Sequence, residues 1–225
     1  MNINLPNKTG FSHISRRRFL RRSPPFLAGF ALAACSQAAS KPSSHSTYSD
    51  YLDIRSDAGP KRLPPTPTCG DSALTTPAQT PGPFYSPNSP QRQSLLEANT
   101  AGSRLILTGQ VLTTECVPLA NSLVDVWQTD AQGQYDNTGN KLRGHQFTDA
   151  KGQYWLETIV PGLYPGRTRH LHIKVQAPDR TVLTTQLYLP EEPLNEKDFL
   201  FQPDLMMGVQ DTADGKKARF DFVLQ

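Results

Sequence analysis

Several familiar features are missing from this 225-residue chain. It has no Gly-rich phosphate loop, which removes the main sequence sign of a nucleotide-binding enzyme. Nothing recurs at solenoid or propeller periods. No basic patch marks a nucleic-acid surface. The formal charge of +3 misleads, because six of the 23 basic residues (Lys8, Arg16, Arg17, Arg18, Arg21, Arg22) fall in the first 34 positions, which hold no acid. The remainder carries 17 basic and 20 acidic residues, a formal charge of −3. The apolar run at residues 26–34 has nine residues, far short of the ~20 that span a bilayer as a helix. Long helices are also disfavoured, since the chain has 20 prolines; strands joined by turns tolerate them better.

The N-terminus reads as an address. Ser15-Arg16-Arg17-Arg18-Phe19-Leu20 is a twin-arginine export pattern. Leu32-Ala33-Ala34-Cys35 resembles a bacterial lipobox, whose Cys becomes the lipidated first residue. The expectation is a signal peptide over residues 1–34, lipid attachment at Cys35, and a membrane-anchored lipoprotein facing the periplasm or cell exterior. An ordinary cleavable signal with an incidental Cys is the alternative. Twin-arginine export carries folded proteins, so a cofactor can be loaded beforehand. Residues 35–66, rich in Ser, Pro and charge, read as a flexible tether. The folded domain is expected over residues 67–225. It contains Cys69 and Cys116, which an oxidising compartment would join in a disulfide; two buried free thiols are the alternative.

Within the domain, short apolar-polar alternations are bounded by Gly, Pro and Asp. They predict strands over 104–111, 123–128, 153–159, 170–175, 182–189 and 218–224, with weak helix only at 94–98 and 191–199. The expected fold is all-β, an antiparallel β-sandwich with short helical or irregular connections.

His170-Leu171-His172 carries the first chemical signal. On a strand, residues i and i+2 share a face, so the two imidazoles point one way and can grip one metal ion. Leu171, Ile173 and Val175 point the other way, to a core. Alone, the pattern also fits a solvated strand face. Its context is unusual: beyond the tether there are only three histidines, His145 and this pair. Upstream stand Gly133-Gln134-Tyr135 and Pro161-Gly162-Leu163-Tyr164-Pro165, whose tyrosines could equally be turn-flanking aromatics.

From Thr76 to Leu189 the chain resembles the intradiol ring-cleavage dioxygenases, the family of protocatechuate 3,4-dioxygenase and catechol 1,2-dioxygenase. The matching pieces are Thr80-Pro81-Gly82-Pro83-Phe84-Tyr85, Val124-Asp125-Val126-Trp127-Gln128, the two tyrosine segments, Arg167-Thr168-Arg169-His170-Leu171-His172, and Gln186-Leu187-Tyr188, in family order. The resemblance implies a mononuclear non-haem Fe(III) centre held by Tyr135, Tyr164, His170 and His172. Two phenolates suit a hard ferric ion, whereas an Fe(II) oxygenase would use two His and one carboxylate. It implies cleavage of a small aromatic diol by O2 to a muconate-type diacid, with Tyr164 leaving the metal as substrate arrives. Arg167 would stabilise developing negative charge, with Arg169 as competitor. Gln186 would lie near the oxygen-binding region, Trp127 would form a pocket wall, and Tyr85 would line the entrance.

Two departures are visible. Tyr164 stands six positions before His170, closer than in the best-known relatives, and the segment after Tyr135 is short. Both loops should border the substrate pocket, so substrate preference stays open. The long N-terminal helical dimerisation region of catechol 1,2-dioxygenases is absent, so their dimer is not implied. A β-sandwich binding module, a metal-binding protein without turnover, and a Zn(II) or Cu(II) site are the competing readings.

Overall fold

Nine strands carry residues 74–225, the part of the chain that the computed structural model describes. They are β1 (Arg104–Thr113), β2 (Leu123–Trp127), β3 (Arg143–Phe147), β4 (Gln153–Ile159), β5 (His170–Gln176), β6 (Leu183–Tyr188), β7 (Gly208–Thr212), β8 (Gly215–Arg219) and β9 (Phe222–Leu224). One sheet has the order β4-β1-β8-β7, with β9 also on β1; the other runs β3-β2-β5-β6. The expectations for the signal peptide, the tether, Cys35 and Cys69 lie outside the described residues. Cys116 is disulfide-bonded, and both remaining cysteines precede residue 74.

Alternation explains the layering. Leu105, Leu107 and Leu156 from the first sheet meet Val124, Val126, Leu171, Ile173 and Val175 from the second, each fully or almost fully buried. Burying a Leu or Ile side chain contributes roughly 1.5–3 kcal/mol, so this apolar layer dominates the stability. The other face of β5 carries His170 and His172, and it too is covered: the pair is 4% and 3% exposed. The cover is a strap, residues 76–93, laid across the outer face of the second sheet. Gln79 N donates to Thr184 O on the β6 side, and Arg92 N donates to His145 O on the β3 side.

The β-sandwich is as expected, but several details differ. The sheets are not wholly antiparallel, because β1 pairs in parallel with β8 and β9. The single strand expected over 218–224 is two. The break lies at Phe220 and Asp221, where Phe220 N donates to Thr108 O and Asp221 Oδ1 accepts from Gln110 N. β3 and β7 were not expected; both are polar, Arg-Gly-His-Gln-Phe and Gly-Val-Gln-Asp-Thr, without an apolar period. Residues 94–98 are not helical, because Leu95 N donates to Glu157 O of β4. Residues 191–199 hold only the 3-10 turn Asn195–Lys197, and a second such turn, Pro203–Leu205, follows.

The strand break depends on Gly109. A Cβ there would lie 1.7 Å from Phe220 O, the same carbonyl that accepts the buried Tyr154 hydroxyl at 2.8 Å. Gly109→Ala is therefore expected to destabilise the domain by about 3 kcal/mol, seen as a clear fall in thermal midpoint. An unchanged midpoint would show that this crossing is not held as described.

Candidate metal centre

Strand register builds the centre. His172 of β5 lies opposite Trp127 of β2 and Gln186 of β6, and Trp127 lies opposite Arg143 of β3. The row Arg143–Trp127–His172–Gln186 thus crosses the outer face. Trp127 and His172 stack with centroids 4.9 Å apart and planes 5° from parallel. Gly82 of the strap closes the position, since a Cβ there would stand 3.3 Å from His172 Cε1. One residue pair along β5, His170 sits with its ring 4.8 Å from that of His172.

Two loops bring the tyrosines. Each has a glycine two residues before its tyrosine, and the glycines pack backbone against backbone. A Cβ on Gly133, whose φ is +81°, would lie 2.0 Å from Leu163 O; one on Gly162 would lie 2.2 Å from Gly133 N. Gly162 N also donates to Asp130 O, and the Thr129 hydroxyl donates to Gly162 O. No other residue type fits such an approach. The result is a 5.7 Å separation between the Tyr135 and Tyr164 rings, with Tyr135 Oη 3.2 Å from His170 Nε2.

Protonation states follow from the contacts. His170 Nδ1 lies 2.7 Å from Thr168 O. A carbonyl only accepts, so Nδ1 carries the proton and Nε2 presents its lone pair toward Tyr135. Burial pushes His170 down to about 4 and His172 well below its ordinary value, so both are neutral at pH 7, as metal ligands must be. Burial raises the Tyr135 phenol, partly offset by Arg167; a bound cation would reverse that.

The donors fit a hard cation. Among the described residues, no group of three His, Cys, Asp or Glu side chains could hold a metal, so a two-His, one-carboxylate site is not available there. Two imidazoles and two phenols are what this face offers. The 3.2 Å between Tyr135 Oη and His170 Nε2 suits two donors sharing one ion with bonds of ~2 Å. His172 Nδ1 is buried with no hydrogen-bond partner, an orphan that an ion or water beside the ring would explain.

Arg167 lies beside this cluster, but it is tightly held. Its Nε donates to both oxygens of Asp198, at 3.0 and 2.8 Å, and its Nη2 donates to Gln186 Oε1 at 2.6 Å. Asp198 also accepts from Thr168 N and Leu200 N. It lies 31 positions from Arg167 in no recognisable motif, and sequence reasoning missed it. Arg169 turns elsewhere, to Pro161 O and Glu192. Gln186 is fully buried; its Nε2 donates to Thr80 O while its Oε1 accepts from Arg167. Both ends of that amide are thus engaged in placing the arginine and the strap.

Two further aromatics pack behind the centre. Trp127, expected as a pocket wall, is 1% exposed and backs the His172 imidazole. Tyr85, expected at the entrance, packs on Trp127 at 4.8 Å and donates to Asp125. Its neighbour Phe84, overlooked in the sequence, is the one that meets both tyrosines: it stacks on Tyr135 at 4.5 Å and meets Tyr164 edge-on at 5.5 Å.

Burial raises the Asp198 carboxyl, but the N–H groups of Leu200 and Thr168 and the Arg167 guanidinium outweigh it, so its pKa is lowered. Asp198→Asn should cost about 2 kcal/mol at neutral pH, less than a fully buried pair because Arg167 keeps some solvent contact. A depressed carboxyl contributes above its unfolded value of ~4, and the contribution is lost as pH falls through the lower folded value. Denaturation curves of wild type and variant should therefore converge in acid. A gap that persists there would contradict the ion pair as its source.

Comparison with known proteins agrees with this geometry. Residues 80–225 match the family model described as Dioxygenase. The chain is 29% identical over 168 residues to a hydroxyquinol 1,2-dioxygenase of Rhizobium sp. (strain MTP-10005), covering 61% of this chain and 56% of that one. It is 36% identical over 119 residues to a protocatechuate 3,4-dioxygenase beta chain of Burkholderia cepacia, covering 45% and 51%. The chain thus spans about half the length of the curated relatives it matches. Among solved structures, the dioxygenase domain of a dioxygenase carbohydrate-binding protein fusion from Streptomyces sp. SirexAA-E is 53% identical with a TM-score of 0.66, covering 68% of this chain and 99% of that one. With a family model over most of its length and a β-sandwich that presents the tyrosine and histidine pairs together, the chain belongs to the intradiol ring-cleavage dioxygenases.

Proposed function

We propose that this chain is an Fe(III)-dependent dioxygenase that cleaves catechol-type diols between their hydroxyl-bearing carbons, using O2 and releasing muconate-type diacids. The observation that carries the reading is the meeting of Tyr135, Tyr164, His170 and His172 on one covered face, with Arg167 beside them. Tyr135, Tyr164, His170 and His172 would hold the iron. Bound ferric iron would supply the redox centre through which a diol can react with O2.

The chain's own groups have definite tasks in this reading. The two neutral imidazoles keep the ligand set from adding more charge than the two phenolates. As a diol binds, Tyr164 Oη would take one of its hydroxyl protons. Tyr164 suits this better than Tyr135, since its loop is half-exposed whereas Tyr135 is stacked under Phe84. Arg167, fixed by Asp198 and Gln186, would stabilise negative charge that develops on the ring. Phe84 and Tyr164 form the apolar rim that keeps bulk water from the reacting carbons.

Visible absorption tests the reading directly. The ferric-loaded domain should show a phenolate-to-iron band that moves to longer wavelength when catechol is added without oxygen, and Tyr135→Phe should weaken it. A protein that stays colourless after ferric loading would overturn the proposal. A coloured protein without turnover would instead favour metal binding alone.

The proposal extends to export and membrane anchoring through the twin-arginine pattern and lipid attachment at Cys35. Cys35→Ala is expected to move the protein from the membrane to the soluble fraction of the cell envelope. Unchanged fractionation would exclude the anchor.

A further inference from the structure

Next to the metal face lies a second polar cluster, which the reaction does not use. Register places Asp125 of β2 between His145 of β3 and Lys174 of β5. The carboxylate is 6% exposed, and two strap residues close over it. Ser89 Oγ donates to Asp125 Oδ1 at 2.7 Å, and Tyr85 Oη donates to Oδ2 at 3.3 Å. The Ser89 hydroxyl has one proton, already given to Asp125, so its 3.1 Å contact with His145 Nδ1 has the imidazole as donor. The Lys174 ammonium caps the Tyr85 ring at 3.4 Å from its centroid. Burial leaves the Asp125 carboxyl raised in spite of these donors, so the site is a costly place for an acid.

We infer that Asp125 is a positioning residue for the substrate pocket: through Tyr85 and Ser89 it fixes the strap whose Gly82 and Phe84 form the wall over the metal ligands. The inference rests on the dioxygenase reading above. Its geometry is direct. Phe84 adjoins Tyr85 and lies against Tyr135 and Tyr164. Gly82 lies against His172. Tyr85 itself packs at a tilt on Trp127, which stacks on His172. On one side of the anchor the strap is held by Gln186 Nε2 donating to Thr80 O, and on the other by His145 N donating to Pro90 O. Between these points Asp125 accepts side-chain hydrogen bonds from Tyr85 and Ser89 of the strap. Releasing it frees the stretch that faces substrate while leaving Tyr135, Tyr164, His170 and His172 in place.

The double variant Tyr85→Phe/Ser89→Ala removes both donors and keeps the aromatic ring at position 85. In the full chain loaded with ferric iron, the phenolate band should persist. The dissociation constant for catechol, titrated by absorbance without oxygen, should rise about ten-fold; KM should rise with it, and kcat should hold. Asp125→Asn, which keeps one acceptor oxygen in place of two, should give a smaller rise than the double variant. A lowered thermal midpoint with catechol affinity unchanged would make the cluster structural and overturn the inference. If the double variant does not fold, Ser89→Ala alone should give an intermediate rise, and no rise would overturn it equally. A wild-type protein without the band would overturn both this inference and the reading beneath it; a wild type with the band beside a variant of equal affinity overturns the inference alone.

Discussion

The centre depends first on a steric constraint, the contact of Gly133 with the backbone before Tyr164 and of Gly162 with the backbone before Tyr135. The loop after β2 and the loop from β4 to β5 can approach this closely only where neither has a side chain. Their tyrosines then project from a shared base, and the 5.7 Å between the rings is set by main-chain packing. Side-chain rotation can adjust the hydroxyls, but it cannot separate the loops. A site built on two irregular segments thereby gains the rigidity that strands give to His170 and His172.

Charge is arranged around this base with similar economy. The histidines are neutral because they are buried. Arg167 has its charge matched by Asp198, while the buried Arg143 acts on Tyr135 and His172 from the β3 side. In the proposed function, a ferric ion with two phenolates would bring only a small net charge to this face. The hydrogen-bonded lock around Arg167 and Thr168 holds the guanidinium beside the tyrosine and histidine pairs.

Much of this was legible in the sequence where residues act locally. The alternation of β2, β4, β5 and β6 gave their positions within a residue or two, and the i, i+2 rule put both imidazoles on one face. What escaped was set by distant partners. β3 is polar because its side chains and backbone serve the strap and the loop after Tyr135, so no apolar period marks it. Asp198, Ser89 and Asp125 have roles only through residues tens of positions away, which no local pattern records. Phe84 and Tyr85 stood side by side in a recognised motif, and the choice between them turned on which face of an irregular strap meets the tyrosines. Parallel strand pairing, as of β1 with β8, is equally invisible to periodicity.

That last pairing bears on when the molecule can form. β1 is the central strand of its sheet, yet its neighbours on one side, β8 and β9, come from the far end of the domain, with Thr108 bonded to Ala218 across 110 positions. Closing so long a loop is slow and gains little until it is complete. During synthesis β1 must wait, one edge exposed, until residues up to Leu224 have left the ribosome. The strap that covers the metal face is tied to the same late event, because Thr76 N bonds Val223 O and Val223 N bonds the Thr76 hydroxyl. The ligand-bearing sheet can assemble earlier, from hairpins closer in sequence, but its covering strap is fastened at that end only once the last strand arrives.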